Sequence, residues 1–336
     1  MAYNANTNER KHGSSGSIML VLAKAIIDTG GVVYGAEFID KLQLFHTRAT
    51  DYDTVLRQSK SKYLQSNTSG IYESVRNDLL KGLNVLFVGT PCQTHALYNY
   101  LGNKNKERLL LVDFLCHGVP SQSLFDNAIH TYEKRKDCIV TDFSFREKTE
   151  KRLRCYKISY RKDGKDMVEM GKENDFPFYC GYLKYYPFRE SCYECKFASE
   201  YRVSDITIGD MWGMEWTGEL NDFQRGYSLV YTNNKKGYET IALIKEKLFL
   251  REFSLDDPRT ENYTYKKHTQ NTWEHKAFRL LYPFSSYRFI EQYFFSDESR
   301  RNLFQRAYFK GVKFCKLLLS KLSNIITRIK RKCHGV

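Results

Sequence analysis

Two short β-rich runs, Asn84-Val85-Leu86-Phe87-Val88-Gly89 and Leu109-Leu110-Leu111-Val112-Asp113-Phe114, constrain this chain more than any other feature. Each is bounded by turn residues and shows no polar alternation, which is how a strand buried on both faces reads. A helix is expected after Pro91, between the two runs, and another near 122–134. Strand and helix in alternation are the order of a largely parallel sheet covered by helices. The expected class is therefore α/β, a largely parallel or mixed sheet flanked by helices, with an α+β C-terminal portion.

Other elements follow from local signals. The apolar stretch Ile18–Ile27 follows Gly13-Ser14-Ser15-Gly16-Ser17 and stops at Gly30-Gly31, so it reads as a buried helix with a Ser cap and a Gly stop. Val32–Ala36 and Leu42–His46 read as short strands, and Ile71–Leu80 as a helix. Beyond Ile139 the pattern changes. Tyr156–Tyr160 and Met167–Met170 flank Asp163-Gly164, a hairpin signal. Ile206–Ile208 and Ser228–Tyr231 read as strands, and Tyr238–Leu248 as a helix. The division expected is a flexible, Asn-rich start (1–12), an α/β part (13–140), an α+β part (141–299) and a basic tail (300–336).

Aromatic residues make up 15% of the chain and hydrophobic residues 42%, which excludes wholesale disorder. The net charge of +14 is uneven: eleven Lys or Arg and no acid lie from Arg300 onward, leaving the rest near neutral. A general nucleic-acid-binding surface is thereby excluded, and no nucleic-acid partner is expected. No apolar run reaches about 18 residues and the first 17 residues are polar, which argues against a spanning helix and a secretory signal and for a cytoplasmic protein. In the tail, Val312, Phe314, Leu317–Leu319, Leu322, Ile325, Ile326 and Ile329 recur largely at helical spacing among Lys and Arg, before Lys330-Arg331-Lys332. Such a helix suits peripheral contact with an anionic membrane face through residues 312–332.

Nine cysteines, an odd number, do not make a complete disulfide framework, and in the cytosol clustered thiols bind metal or do redox chemistry. Cys92, in Gly89-Thr90-Pro91-Cys92-Gln93, follows the first β-rich run. Cys116, in Leu115-Cys116-His117-Gly118-Val119-Pro120, follows the second. Ligands of open α/β sheets bind beyond the carboxyl ends of the strands, where both would sit. Cys192-Tyr193-Glu194-Cys195 adds a pair whose spacing lets both sulfurs face one centre. Four thiolates from three segments suit either a tetrahedral zinc or a [4Fe–4S] cube. Cys138, Cys155, Cys180, Cys315 and Cys333 lack such a context and read as structural.

Seven motifs in order carry a resemblance. Ser14-Ser15-Gly16, Gly31-Val32-Val33-Tyr34-Gly35-Ala36, Ser61-Lys62-Tyr63-Leu64-Gln65-Ser66, the segments around Cys92 and Cys116, Cys192–Phe197 and Arg202–Gly213 resemble the beta subunit family of coenzyme F420 hydrogenase/dehydrogenase. The likeness runs from about residue 13 to 250. It implies FAD beside a [4Fe–4S] cluster, with Cys92, Cys116, Cys192 and Cys195 as cluster ligands. It implies flavin contacts from Ser14, Ser15, Gly16, Ser17, Lys62, Gln65, Ser66, Thr90, Gln93, Asp205 and Asp210. The Ser14–Ser17 turn leads into a helix, whose free N–H groups and dipole suit the pyrophosphate. A positive charge from Lys62 near the ring would stabilise the reduced flavin. Ser17 stands where the motif usually has a second glycine, and His117 beside Cys116 suits a hydrogen bond near the cluster.

The activity implied is an FAD- and iron–sulfur-dependent oxidoreductase passing electrons between a ferredoxin or ferredoxin-like subunit and a small-molecule substrate. No cysteine precedes Cys92, where bacterial relatives carry a Cys-rich module ahead of the Ser-Ser-Gly motif, so electrons are expected to enter from a ferredoxin, free or as a separate subunit. Family context, which includes surface-polysaccharide genes, makes a sugar or glycan precursor one candidate substrate and the reduced deazaflavin another. The alternative class is a zinc-stabilised, non-catalytic partner protein of a membrane-associated biosynthetic assembly.

Overall fold

The computed structural model describes residues 1–102, 106–149, 152–211, 226–257, 260 and 262–296; the basic tail and its expected amphipathic helix lie outside them. In chain order the elements are β1 (Ala2–Asn4), α1 (Thr7–Arg10), α2 (Ile18–Ile27), β2 (Val32–Ile39), β3 (Gln43–Ala49), α3 (Tyr52–Gln58), α4 (Ile71–Leu80), β4 (Val85–Gly89), α5 (Pro91–Leu101), β5 (Leu109–Phe114) and α6 (Gln122–Lys136). They continue as β6 (Ile139–Thr149), β7 (Arg152–Lys162), β8 (Lys165–Lys172), α7 (Pro177–Leu183), β9 (Ile206–Asp210), β10 (Ser228–Thr232), α8 (Lys235–Leu243), β11 (Leu248–Leu250), α9 (Trp273–Leu281) and α10 (Tyr287–Ile290).

The main sheet is mixed and has eight strands in the order β11-β1-β10-β9-β5-β4-β2-β3. Its centre, β2, β4, β5 and β9, is parallel, with Val32 opposite Val85, Val85 opposite Leu109 and Val112 opposite Ile206. Both faces are covered. Leu86 and Val112 pack with Ile18, Leu20, Val21 and Leu22 of α2 and Val55 of α3. Val85, Phe87 and Leu111 pack on the other face with Val75 and Leu79 of α4 and Leu97 and Leu101 of α5. Burial on both sides is why β4 and β5 lack polar alternation.

The other strands, β6-β7-β8, form a separate antiparallel sheet. Asp163 (φ 50°) and Gly164 (φ 73°) turn β7 into β8, the left-handed pair that a two-residue hairpin requires. The chain leaves the main sheet before β6 and returns to it at β9, so β9, β10 and β11 complete the first sheet.

Three local expectations are corrected. The Asn-rich start is ordered: Ala2 is fully buried and β1 lies between β10 and β11. Its polar side chains are used internally. Asn6 Oδ1 accepts from Asn8 N and Glu9 N to cap α1, and Asn4 Nδ2 donates to Glu9. Ser17 precedes α2 at φ 60° without capping it, because its hydroxyl donates to Arg10 O at 2.7 Å. The helix expected over 238–248 is α8 at Lys235–Leu243, started by the Asn234 side chain; Leu248 already belongs to β11. Among the described residues no helix is long and apolar enough to cross a membrane.

An aromatic core joins α6, α7 and the three-stranded sheet: Phe125 meets Phe143, Phe145 and Phe178 at centroid distances of 5.1–5.5 Å. Phe125 is fully buried, so Phe125→Ala should lower the unfolding free energy by ~3–5 kcal/mol in guanidinium titration. A loss below about 1 kcal/mol would contradict this packing.

Candidate functional site

The carboxyl ends of the parallel strands meet at one edge of the sheet, and the first two cysteines stand there. Thr90 and Pro91 turn β4 into α5, with Pro91 at the first helical position, where a missing N–H costs nothing. Gln93 reaches back to accept from the Thr90 N–H at 3.0 Å, leaving Cys92 in the first turn of the helix. Cys116 follows β5 by two residues. Leu115 N still donates to Ile208 O, and Gly118 then adopts φ 139° against the ring of Phe188. A Cβ on Gly118 would lie 2.3 Å from that ring, so glycine is required in the segment that leaves Cys116.

The Cys-x-x-Cys pair is brought to the same edge from a distant loop. Arg189 N donates to Val119 O, tying the turn Glu190–Cys192 to the segment after Cys116. Tyr193, almost fully buried, anchors the pair by donating to the carbonyl of Tyr185. The four thiols are electrostatic neighbours. Burial raises the Cys116 pKa first, and the charges of Cys192, Cys92 and Cys195 raise it further. Burial likewise raises Cys92 and Cys192, with the neighbouring thiols adding to it. Among the described residues no group of three or more His, Cys, Asp or Glu side chains is drawn in to the spacing of a single metal ion.

A cavity of about 510 Å³ opens beside this group, within the usual range of ligand sites. Ser14, Ser15, Ser17, Lys62, Ser66, Thr90, Gln93 and Asp210 border it, and of the four cysteines Cys116 does too. So does the first turn of α2, Ile18–Leu20, whose N–H groups have no intrahelical acceptor. Tyr63, Tyr182, Tyr185 and Tyr263 form an aromatic wall, Tyr63 stacking on Tyr182 at 4.2 Å and Tyr185 on His117 at 5.5 Å.

Three expected contacts lie off the cavity. Gly16 is a packing position: its N–H meets Ser228 Oγ at 2.9 Å, and a Cβ there would lie 2.3 Å from Ala2 O. Gln65 Oε1 accepts from Arg189, towards the Cys-x-x-Cys loop. Asp205 stands just before β9, at the other end of that strand from Asp210, where it accepts from Leu111 N and Asn234 and pairs with Lys236 at 3.1 Å. Lys62 borders the cavity, but its three donors meet the carbonyls of Gln58, Ser59 and Lys60. Burial pulls its pKa down to about 7, and these acceptors favour the ammonium.

Residues that motif reading missed hold the turn ahead of α2. Arg146 and Lys148 reach from β6 to the Ser14–Ser17 turn. Arg146, 2% exposed, pairs with Asp210 at 2.9 Å and donates to Tyr63 OH at 3.0 Å, while Ser15 Oγ donates to the same Asp210. Lys148 Nζ donates to Arg10 O and Ser15 O, each at 2.6 Å. Ser15 (φ 47°) and Ser17 (φ 60°) are both left-handed, and these bonds hold that costly conformation in place. The readable signal was Phe143-Ser144-Phe145-Arg146-Glu147-Lys148, in which apolar and charged residues share one strand.

Thiols are donors that could hold a metal–sulfur centre, and the cavity is large enough to receive a phosphate-bearing planar ligand. The family model for the C-terminal part of the coenzyme F420 hydrogenase/dehydrogenase beta subunit matches residues 82–257. No curated protein matches the chain. Among solved structures, one of the F420-reducing [NiFe] hydrogenase complex from Methanosarcina barkeri is similar, with a TM-score of 0.48 and 17% identity over 76% of this chain and 82% of that one.

Lys148 carries a pH signature. Burial, then the charges of Arg10 and Arg146, lower its pKa to about 6. The unfolded chain then binds a proton that the folded one gives up, so this lysine's destabilisation is complete below about pH 6 and disappears as pH rises towards the unfolded value near 10.4. Wild type should gain stability relative to Lys148→Met between pH 6 and 10 in urea titration. A difference independent of pH would contradict the depressed pKa.

Proposed function

We propose that this chain, which belongs to the coenzyme F420 hydrogenase/dehydrogenase beta subunit family, is an iron–sulfur flavoprotein oxidoreductase that moves electrons between a ferredoxin-like partner and a small molecule. One observation carries the reading: Cys116 belongs both to the group of four thiols and to the wall of the cavity. A centre on those sulfurs and a flavin in that cavity would be near neighbours.

Cys92, Cys116, Cys192 and Cys195 would hold the cluster. Three of these thiols are raised by burial, so taking up iron displaces their protons. The start of α2 would take the flavin phosphates, with Arg146 behind the Ser14–Ser17 turn supplying positive potential and Lys148 tying that turn to β6. The tyrosine wall would receive the ring system and keep water from it. When bound, the cluster supplies single electrons and the flavin two-electron chemistry.

Anaerobic purification with iron, sulfide and flavin analysis tests this. The expected product is brown, with roughly four iron, four sulfide and one flavin per chain. Cys192→Ser should lose iron and visible cluster absorption while retaining flavin, because Cys192 does not border the cavity. A colourless protein holding one zinc and no flavin would overturn the reading in favour of a structural metal.

A further inference from the structure

We propose that the Thr90 hydroxyl donates a hydrogen bond to the Cys92 thiolate and raises the potential of the cluster held there, an inference that rests on the cluster reading. Thr90 Oγ1 lies 3.1 Å from Cys92 Sγ and also 3.1 Å from Gln93 Oε1. A hydroxyl has one proton and can serve only one of these acceptors at a time. While Cys92 is a thiol, its S–H can donate to Thr90, and the hydroxyl proton goes to Gln93. Once iron displaces the thiol proton, the sulfur can only accept, and the hydroxyl proton turns to it. Gln93 Oε1 keeps the Thr90 N–H at 3.0 Å, so neither arrangement orphans a buried group.

Gln93 cannot flip to remove this choice. Val88 O accepts from His46 Nε2 at 3.0 Å, so the imidazole proton is on Nε2, and Nδ1 accepts from the Ser66 hydroxyl at 2.8 Å. Ser66 Oγ must then accept from Gln93 Nε2, 3.0 Å away, which aims Oε1 at Thr90. The chain of hydrogen bonds from Val88 to Cys92 thus has one direction throughout. Cys92 also stands in the first turn of α5, where the helix dipole favours a thiolate. Hydrogen bonds to cluster sulfurs favour the more negative, reduced cluster and raise its potential. Thr90 is therefore a positioning residue for the cluster more than a contact to the flavin.

The test is the cluster midpoint potential of the anaerobically purified full chain, from a redox titration followed by EPR. Thr90→Val keeps the shape and removes the O–H; Thr90→Ser keeps the O–H. T90V should shift the cluster to a more negative potential, T90S should stay near wild type, and the flavin potential should be the same in all three. A cluster lost from T90V but kept by T90S would also support the proposal. A T90V potential equal to wild type overturns it with the cluster reading intact. Loss of the cluster from both variants assigns Thr90 to starting α5 and overturns it too. A wild-type chain that binds no iron removes the cluster reading and this inference together.

Discussion

The guanidinium of Arg146 is buried where three parts of the chain converge. It comes from β6, pairs with Asp210 at the end of β9, and meets the hydroxyl of Tyr63 in the cavity wall. Ser15 donates to the same carboxylate, so the turn ahead of α2 is fixed through that pair. Removing one partner of such a pair leaves a buried charge, at a cost of about 3–5 kcal/mol. The interaction therefore does more than add stability. It holds the small antiparallel sheet against the main sheet and sets the left-handed turn from which α2 enters the cavity.

The rest of the site is a consequence of topology. Four parallel strands put their carboxyl ends on one edge, and three of them lead directly into site residues: Thr90 and Cys92 after β4, Cys116 after β5, and Asp210 closing β9. Charge arrives from elsewhere, through Arg146 on β6. The two remaining thiols arrive on a loop held by Arg189 and Tyr193. One edge thus gathers an apolar wall, a cationic turn and a sulfur group, with Cys116 shared between the last and the cavity.

The features legible in the sequence were those that depend on local pattern. β4 and β5 declare themselves because burial on both faces removes polar alternation, and the β7–β8 hairpin because Asp163-Gly164 can adopt left-handed φ values cheaply. The four cysteines could be grouped because strand ends and a Cys-x-x-Cys spacing are short-range signals. Long-range placement was not legible. Nothing near Ala2 announces a strand between β10 and β11, because the polarity of Asn4 and Asn6 is spent on internal hydrogen bonds. Asp205 and Asp210 look alike in one motif, yet five residues of strand carry them to opposite ends. Arg146 and Lys148 belong to no motif, and their role appears only when β6 is laid beside Ser15.

On the proposed reading, one sheet edge holds a sulfur-ligated iron centre and a flavin as neighbours. Anomalous diffraction at the iron edge, from crystals of anaerobically purified protein, tests it most directly. The expected result is an iron peak among the sulfurs of Cys92, Cys116, Cys192 and Cys195, with planar density in the cavity that Cys116 borders. An iron peak away from these sulfurs, or a zinc signal among them with an empty cavity, would contradict it.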